Sequence, residues 1–180
     1  MYLSQVILNV HDSYEQHQVI WSLFPNVPDR KRDHLFRVEK TDGRQVKVLL
    51  QSSTMPKSSE QAQVLASKEF AAQVVGEAFY KFKLLAYPTK CLSQGKKITE
   101  IKDADEQVEW LQRKLSGANV TVTAMEDRLV SNKKSINGRF VCFEGILQVT
   151  DNTQLERVLV MGVGRKKHAG AGLLSLARTH

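Results

Sequence analysis

Apolar residues cluster over positions 2–10, where Tyr2, Leu3, Val6, Ile7, Leu8 and Val10 alternate imperfectly with polar neighbours and predict a strand at the start of the chain. His11, Asp12 and Ser13 then supply turn and capping residues, after which Tyr14, His17, Ile20, Trp21 and Phe24 recur at helical spacing until Pro25. A basic, proline-containing loop over 26–32 leads to two strand-like runs, 35–39 and 46–51, around a Thr41-Asp42-Gly43 turn that predicts a hairpin. A short helix over 58–66 and a strand over 70–75 would complete a β-α-β-β-α-β order near Gly76. The order then starts again. Tyr80, Phe82, Leu84 and Ala86 mark a strand, Val108, Leu111 and Leu115 a helix over 105–115, and residues 120–125 and 140–149 two strands around a polar, basic connection. A helix over 153–161, capped by Asp151 or Thr153, and a last strand over 173–177 close the second round. The pattern predicts an α+β chain of two tandem ferredoxin-like (RRM-like) units, 1–76 and 77–180.

Charge narrows the choice of partner. The 26 Lys and Arg outnumber the 19 Asp and Glu, for a net charge of +7, and the isoelectric point near 9.5 favours an anionic ligand such as nucleic acid or a membrane surface. With no apolar run of spanning length, and with residues 1–10 lacking a basic n-region and too short for a signal h-region, a soluble, cytoplasmic protein without membrane partner is expected. The two cysteines, Cys91 and Cys142, lie far apart without a paired histidine spacing, against a zinc site and against a disulfide scaffold.

Candidate chemistry sits in three places. Residues 162–172 carry Gly162, Gly164, Gly170 and Gly172 together with Arg165, Lys166, Lys167 and His168. Such a loop can bring backbone and cations close to phosphate, or be a solvated loop and nothing more. It is no Walker loop, because the G-x-x-x-x-G-K-[ST] pattern is missing. His17 and Tyr14, three residues apart, project from one helix face. An imidazole there can move the proton of a 2′-hydroxyl or of a leaving 5′ oxygen beside a phenol that orients the phosphate, although a packed amphipathic pair has the same spacing. Arg30, Lys31 and Arg32 form a basic loop, and Lys133 and Lys134 with Arg139 a basic hairpin tip; a solvated charge run accounts for either as well. His11, His34 and His180 lie at element edges or the terminus, no histidine spacing suits a metal, and scattered carboxylates offer no two-metal site, so neither metal nor cofactor is expected.

Taken in order, several segments resemble the CasE family, the precursor-RNA endoribonuclease subunit of the type I-E CRISPR Cascade complex. They are Met1-Tyr2-Leu3-Ser4, Tyr14-Glu15-Gln16-His17 leading to Leu23-Phe24-Pro25-Asn26, and Phe36-Arg37-Val38-Glu39-Lys40. Leu49-Leu50-Gln51-Ser52 with Met55-Pro56, Trp110-Leu111-Gln112-Arg113-Lys114-Leu115, Cys142-Phe143-Glu144-Gly145 and the closing run from Gly170 to Ala177 complete them. The resemblance implies two tandem ferredoxin-like domains and metal-independent cleavage at the 3′ side of a repeat hairpin. It places the catalytic histidine at His17, the assisting tyrosine at Tyr14, a basic RNA hairpin at Lys133 and Lys134, and an RNA-facing glycine loop at 162–172 with Lys167 at its basic position. Implied partners are the CRISPR repeat stem-loop, the mature crRNA, and other Cascade subunits, especially a backbone subunit. Departures from the family pattern are Ala171, Arg165, and Gln18, the residue after His17 and a candidate RNA contact, together with a shorter segment after Pro88.

The mechanism this implies is attack of a 2′-hydroxyl on the adjacent phosphate, giving a 2′,3′-cyclic phosphate or 3′-phosphate and a 5′-hydroxyl. A non-catalytic subunit that binds the RNA hairpin and caps a CRISPR ribonucleoprotein is the competing expectation. A general RRM-like RNA binder is a third, without an RNP1 pattern to support it.

Overall fold

A computed structural model describes residues 1–10, 12–131 and 136–179. His11, Lys133, Lys134 and His180 lie outside the described residues. In the N-terminal half, β1 (Tyr2–Leu8), α1 (Ser13–Trp21), β2 (His34–Asp42), β3 (Gln45–Ser52) and β4 (Ala62–Glu69) build an antiparallel sheet in the order β2-β3-β1-β4. Alternation explains its core: Val6, Leu8, Val46, Val48 and Leu50 point to one face and bury against Val19, Ile20, Leu23 and Phe24 of α1 and its exit.

One expected helix is replaced by strand. Residues 58–66 lack an apolar stripe at helical spacing, and β4 begins inside them: Ala62 pairs with Leu8 and Val64 with Val6, both facing the core. The strand expected at 70–75 is correspondingly displaced to Ala62–Glu69. Residues 70–78 instead cross to the C-terminal half, where Val74 joins the second core. The sheet keeps the ferredoxin-like strand order, with a direct strand connection where the second helix was expected.

In the C-terminal half, β5 (Phe79–Ala86), α2 (Ala104–Lys114), β8 (Ala118–Ser131), β9 (Ile136–Val149), α3 (Asn152–Met161) and β10 (Leu174–Arg178) follow the expected order, and the sheet runs β10-β5-β9-β8. A small ribbon of β6 (Thr89–Cys91) and β7 (Ile98–Glu100), which the sequence reading missed, is inserted after β5. Asp103 caps α2 by accepting from the Glu106 amide, and Asp151 caps α3 by accepting from the Gln154 amide. Phe82, Leu84, Trp110, Leu111, Leu115, Phe143, Leu147 and Leu155 form the core. β8 and β9 exceed expectation: β5 covers β9 only from Val141 to Gln148, so the far ends of the hairpin continue past the sheet as a two-stranded arm. On that arm, Arg128 donates to the Val38 carbonyl of β2 at 3.4 Å.

The two halves are stitched through a buried guanidinium. Arg37 on β2, 3% exposed, donates to the carbonyls of Lys83 (3.3 Å) and Leu173 (3.1 Å) and to Ser175 Oγ (3.0 Å). Its charge is met by Glu39 at 2.7 Å, which also reaches Lys83 at 3.4 Å. Gln51 adds a bond to the Leu159 carbonyl at 2.8 Å. The segment between α3 and β10 therefore lies against β2 and α1 of the other half, which creates the site described next.

Candidate active site

Helix α1 presents His17. Asp12 starts the helix by accepting from the amides of Tyr14 (3.0 Å) and Glu15 (3.3 Å), which fixes the phase of every later residue. With Gln16, Val19 and Ile20 buried against the sheet, His17 falls at the edge of the core and Tyr14 and Gln18 in solvent. Trp21, one turn after His17, meets its ring edge-on with centroids 6.5 Å apart. His17 Nδ1 is enclosed and has no hydrogen-bond partner among the described residues.

The loop after α1 is built on aromatic rings. Arg30 lies over Phe24 at 4.4 Å and near Trp21 at 5.2 Å, and pairs with Asp33. The other Asp33 oxygen accepts from Thr54 Oγ1 and the Thr54 amide, tying the loop to the end of β3. His34 is buried, stacked on Phe24 at 5.3 Å and edge-on to Trp21 at 5.1 Å. Burial, followed by the charge of Arg32, pushes its pKa down to about 4, so it is a neutral packing ring at physiological pH. This scaffold carries Arg32 to within electrostatic reach of His17, His34, Lys167 and His168.

From the other half comes the glycine segment, which folds as a single 3-10 turn over Lys167–Ala169. Its glycines answer first to protein packing. A Cβ on Gly162 would meet Leu35 at 2.8 Å, and one on Gly164 would meet Trp110 at 3.0 Å. Gly170 and Gly172 are buried, with Phe36 and the Val163 carbonyl where a side chain would start. The segment is thereby pressed onto β2, and Ala169 is buried beneath the turn with Leu85 and Phe140. His168 faces outward, its ring 6.1 Å from that of His17 and nearly perpendicular at 81°.

Burial lowers the pKa of His17, and the charges of Arg32 and then His168 lower it further. His168 is lowered by burial, Arg32 and Lys166, and Lys167 by burial, Arg32 and Lys114. No carboxylate contributes to any of these three shifts, so the groups repel one another's protons. Such a cluster is short of negative charge, which a phosphate can supply. At neutral pH the imidazoles are held in the unprotonated form that accepts a proton.

Of the residues singled out in the sequence, the structure brings together His17, Arg32, Lys166, Lys167 and His168. Tyr14 is on the same helix but 60% exposed, and its hydroxyl makes no hydrogen bond among the described residues. Gln18 and Lys31 are exposed, as is Arg165. Arg30 is committed to its aromatic stack, and Arg139, on the arm, pairs with Asp127 at 3.0 Å. Sequence reading missed Trp21, His34 and Lys114 as neighbours of the site. Their shared signal, aromatic and basic residues flanking the helix and the loop, has no local periodicity to mark it. Among the described residues no group of three or more His, Cys, Asp or Glu is arranged to hold a metal ion.

Fold and site together define a class: a ferredoxin-like α+β protein that brings an imidazole pair and basic side chains together where its two halves meet. The chain belongs to the CRISPR associated protein family, whose model matches residues 1–178, and within it to the CasE group that the sequence resembles. It is 39% identical to the CRISPR system Cascade subunit CasE of Escherichia coli strain K12, over 98% of this chain and 99% of that protein. It is 28% identical to the CRISPR-associated endoribonuclease Cse3 of Thermus thermophilus, over 98% of this chain and 100% of that protein. The solved structure of Thermus thermophilus Cse3 bound to an RNA representing a pre-cleavage complex superposes with a TM-score of 0.79 at 26% identity, covering 98% of this chain and 100% of that one.

Proposed function

We propose that this protein is an endoribonuclease that cuts CRISPR precursor RNA at the 3′ side of the repeat stem-loop and then stays on the mature crRNA hairpin as a Cascade subunit. The reading is supported by the relatives, a Cascade subunit in one case and an endoribonuclease in another. The observation that carries it is local: His17, with a lowered pKa, sits beside His168 in a cluster of cations without a carboxylate partner.

The proposed chemistry follows from those groups. The RNA brings its own nucleophile, the 2′-hydroxyl next to the scissile phosphate, so no metal-bound water is required. His17 moves a proton of the reaction, and Tyr14, which is free to turn toward bound RNA, orients the phosphate. Arg32, Lys166 and Lys167 offset charge that develops on the nonbridging oxygens. The products are a 2′,3′-cyclic phosphate, or the 3′-phosphate formed from it, and a 5′-hydroxyl. Residues 1–76 would act as the domain that bears His17 and residues 77–180 as the domain that bears the glycine turn.

The experiment is cleavage of end-labelled repeat RNA in excess EDTA, with a matched RNA carrying 2′-deoxy at the nucleotide before the cut. The wild type should cut the first and only bind the second. Activity that disappears in EDTA and returns with Mg²⁺, or normal cutting of the deoxy RNA, would contradict the chemistry. Tight hairpin binding without cutting of either RNA would instead support a non-catalytic capping subunit.

A further inference from the structure

We infer that His168 is the second proton-transfer group of this site: His17 takes the proton of the attacking 2′-hydroxyl, and His168 gives a proton to the departing 5′ oxygen. The inference rests on the proposed RNA cleavage and deepens it. In an in-line displacement at phosphorus the entering and leaving oxygens lie on opposite sides, so two groups are needed at two places, each within hydrogen-bond reach of its oxygen. The molecule supplies one imidazole from each half.

Their geometry suits the task. The ring centroids are 6.1 Å apart at 81°, and no hydrogen bond joins the rings. A phosphoryl group that engages both rings therefore breaks no hydrogen bond between them. His168 is also held firmly for an exposed residue. Lys166 in left-handed conformation (φ 65°) precedes the 3-10 turn and Gly170 (φ 93°) follows it. The amides of Ala169 and Ala171 both donate to the Lys166 carbonyl, and buried Ala169 anchors the turn from below. The turn sets the His168 ring 6.1 Å from that of His17 on α1.

The charges around the pair fit the division of labour. Facing His17 are Arg32 and His168, and facing His168 are Arg32 and Lys166, all cationic or able to become so. In the free protein this disfavours protonation of both rings. A phosphodiester seated between them brings the opposing negative charge and favours a proton on His168, the more exposed ring, which exchanges readily with water. Partly shielded His17, its Nδ1 enclosed without a partner among the described residues, stays unprotonated and accepts. Tyr14 is a weaker candidate for the acid, because its hydroxyl stands in solvent without a contact to His17.

The proton and bond accounts close. As the 2′-oxygen forms its bond to phosphorus its proton passes to His17, and as the bond from phosphorus to the 5′ oxygen breaks, that oxygen takes the proton of His168. A cyclic phosphate and a 5′-hydroxyl leave, His17 gives its proton to water, and His168 takes up a proton from water again when the next phosphodiester binds.

The test uses the full-length protein under single-turnover conditions with two RNAs, one ordinary and one in which sulfur replaces the departing 5′ oxygen. Sulfur leaves as a thiolate and needs no acid. His168→Gln should cut the ordinary RNA roughly 10²-fold more slowly or worse, bind the hairpin within a few-fold of wild type, and recover near wild-type rate on the sulfur RNA. His17→Ala should be slow on both, and Tyr14→Phe should show no selective recovery. An unimpaired His168→Gln, an impairment that sulfur does not relieve, or relief in His17→Ala instead would overturn the assignment. Failure of the wild type to cut either RNA would bring down the proposed function itself, which separates the two claims.

Discussion

His34 illustrates at the residue scale how burial in this site is read out by pH. Its folded pKa of about 4 lies below the ordinary imidazole value of 6.5, so the unfolded chain binds more protons than the folded one between these values. Stability from this residue is present above pH 6.5 and is lost as pH falls toward 4, on the order of 3 kcal/mol in all. Thermal unfolding of wild type should show that loss, and His34→Phe, which keeps a ring between Trp21 and Phe24, should flatten the curve over the same interval. An unchanged curve in the variant would place the titration elsewhere. His17 titrates in the same sense, and there the lowering is a property for use, since it keeps the ring unprotonated and able to accept. Histidine NMR should find the His17 and His168 pKa values below the ordinary one without RNA, and that of His168 raised more than that of His17 when 2′-deoxy repeat RNA is bound. The candidate role of His17 was legible only through the family resemblance, since a histidine at helical spacing from a tyrosine also describes a packed amphipathic face. Its partnership with His168 was not legible at all, because 151 positions of sequence separate residues that meet only when the two halves dock.

At the scale of elements, the glycine segment and β2 depend on each other. Gly172 adopts φ 99° with the Val163 carbonyl 3.0 Å from where a Cβ would sit, so Gly172→Ala should both strain the backbone and lift the turn from its seat. RNA cleavage should fall more than hairpin binding, because the turn carries His168 as well as cations. Arg37 is the second dependency. Arg37→Met leaves the carbonyl of Leu173 without this donor and Glu39 with Lys83 as its remaining cationic partner, and should lower the free energy of unfolding in urea by about 3 kcal/mol. Glu39 itself is held below the usual carboxylate range: burial pushes it up, but Arg37 and then Lys83 outweigh burial. Its contribution is therefore lost as pH falls through the carboxylate range. Elements with strong periodicity, such as α1, α2 and the β2–β3 hairpin, were visible in the sequence. The stretch 58–66 was not, because its pairing with β1 is a tertiary choice that short polar segments do not encode locally. The extension of β8 and β9 into an arm was likewise hidden, since polar alternation there resembles a loop.

For the whole molecule, the central arrangement is a group of imidazoles and cations contributed by both halves, with no carboxylate among the causes of the lowered pKa at His17, Lys167 or His168. If RNA lies there, phosphate contacts should dominate the salt dependence of binding. Replacing Arg32, Lys166 and Lys167 with alanine together should reduce the slope of log affinity against log salt by roughly 0.7 to 0.9 for each contact removed. The same titration on Lys133→Ala/Lys134→Ala measures whether these two lysines add phosphate contacts. His17→Ala should leave the slope almost unchanged, since a ring that is neutral in the free protein displaces few counterions. The most direct test of the account is single-turnover cleavage of the labelled repeat hairpin by wild type and His17→Ala, with affinity measured on the same samples. The account predicts that His17→Ala binds within a few-fold of wild type and cuts roughly 10²- to 10⁴-fold more slowly; cutting at the wild-type rate would contradict it.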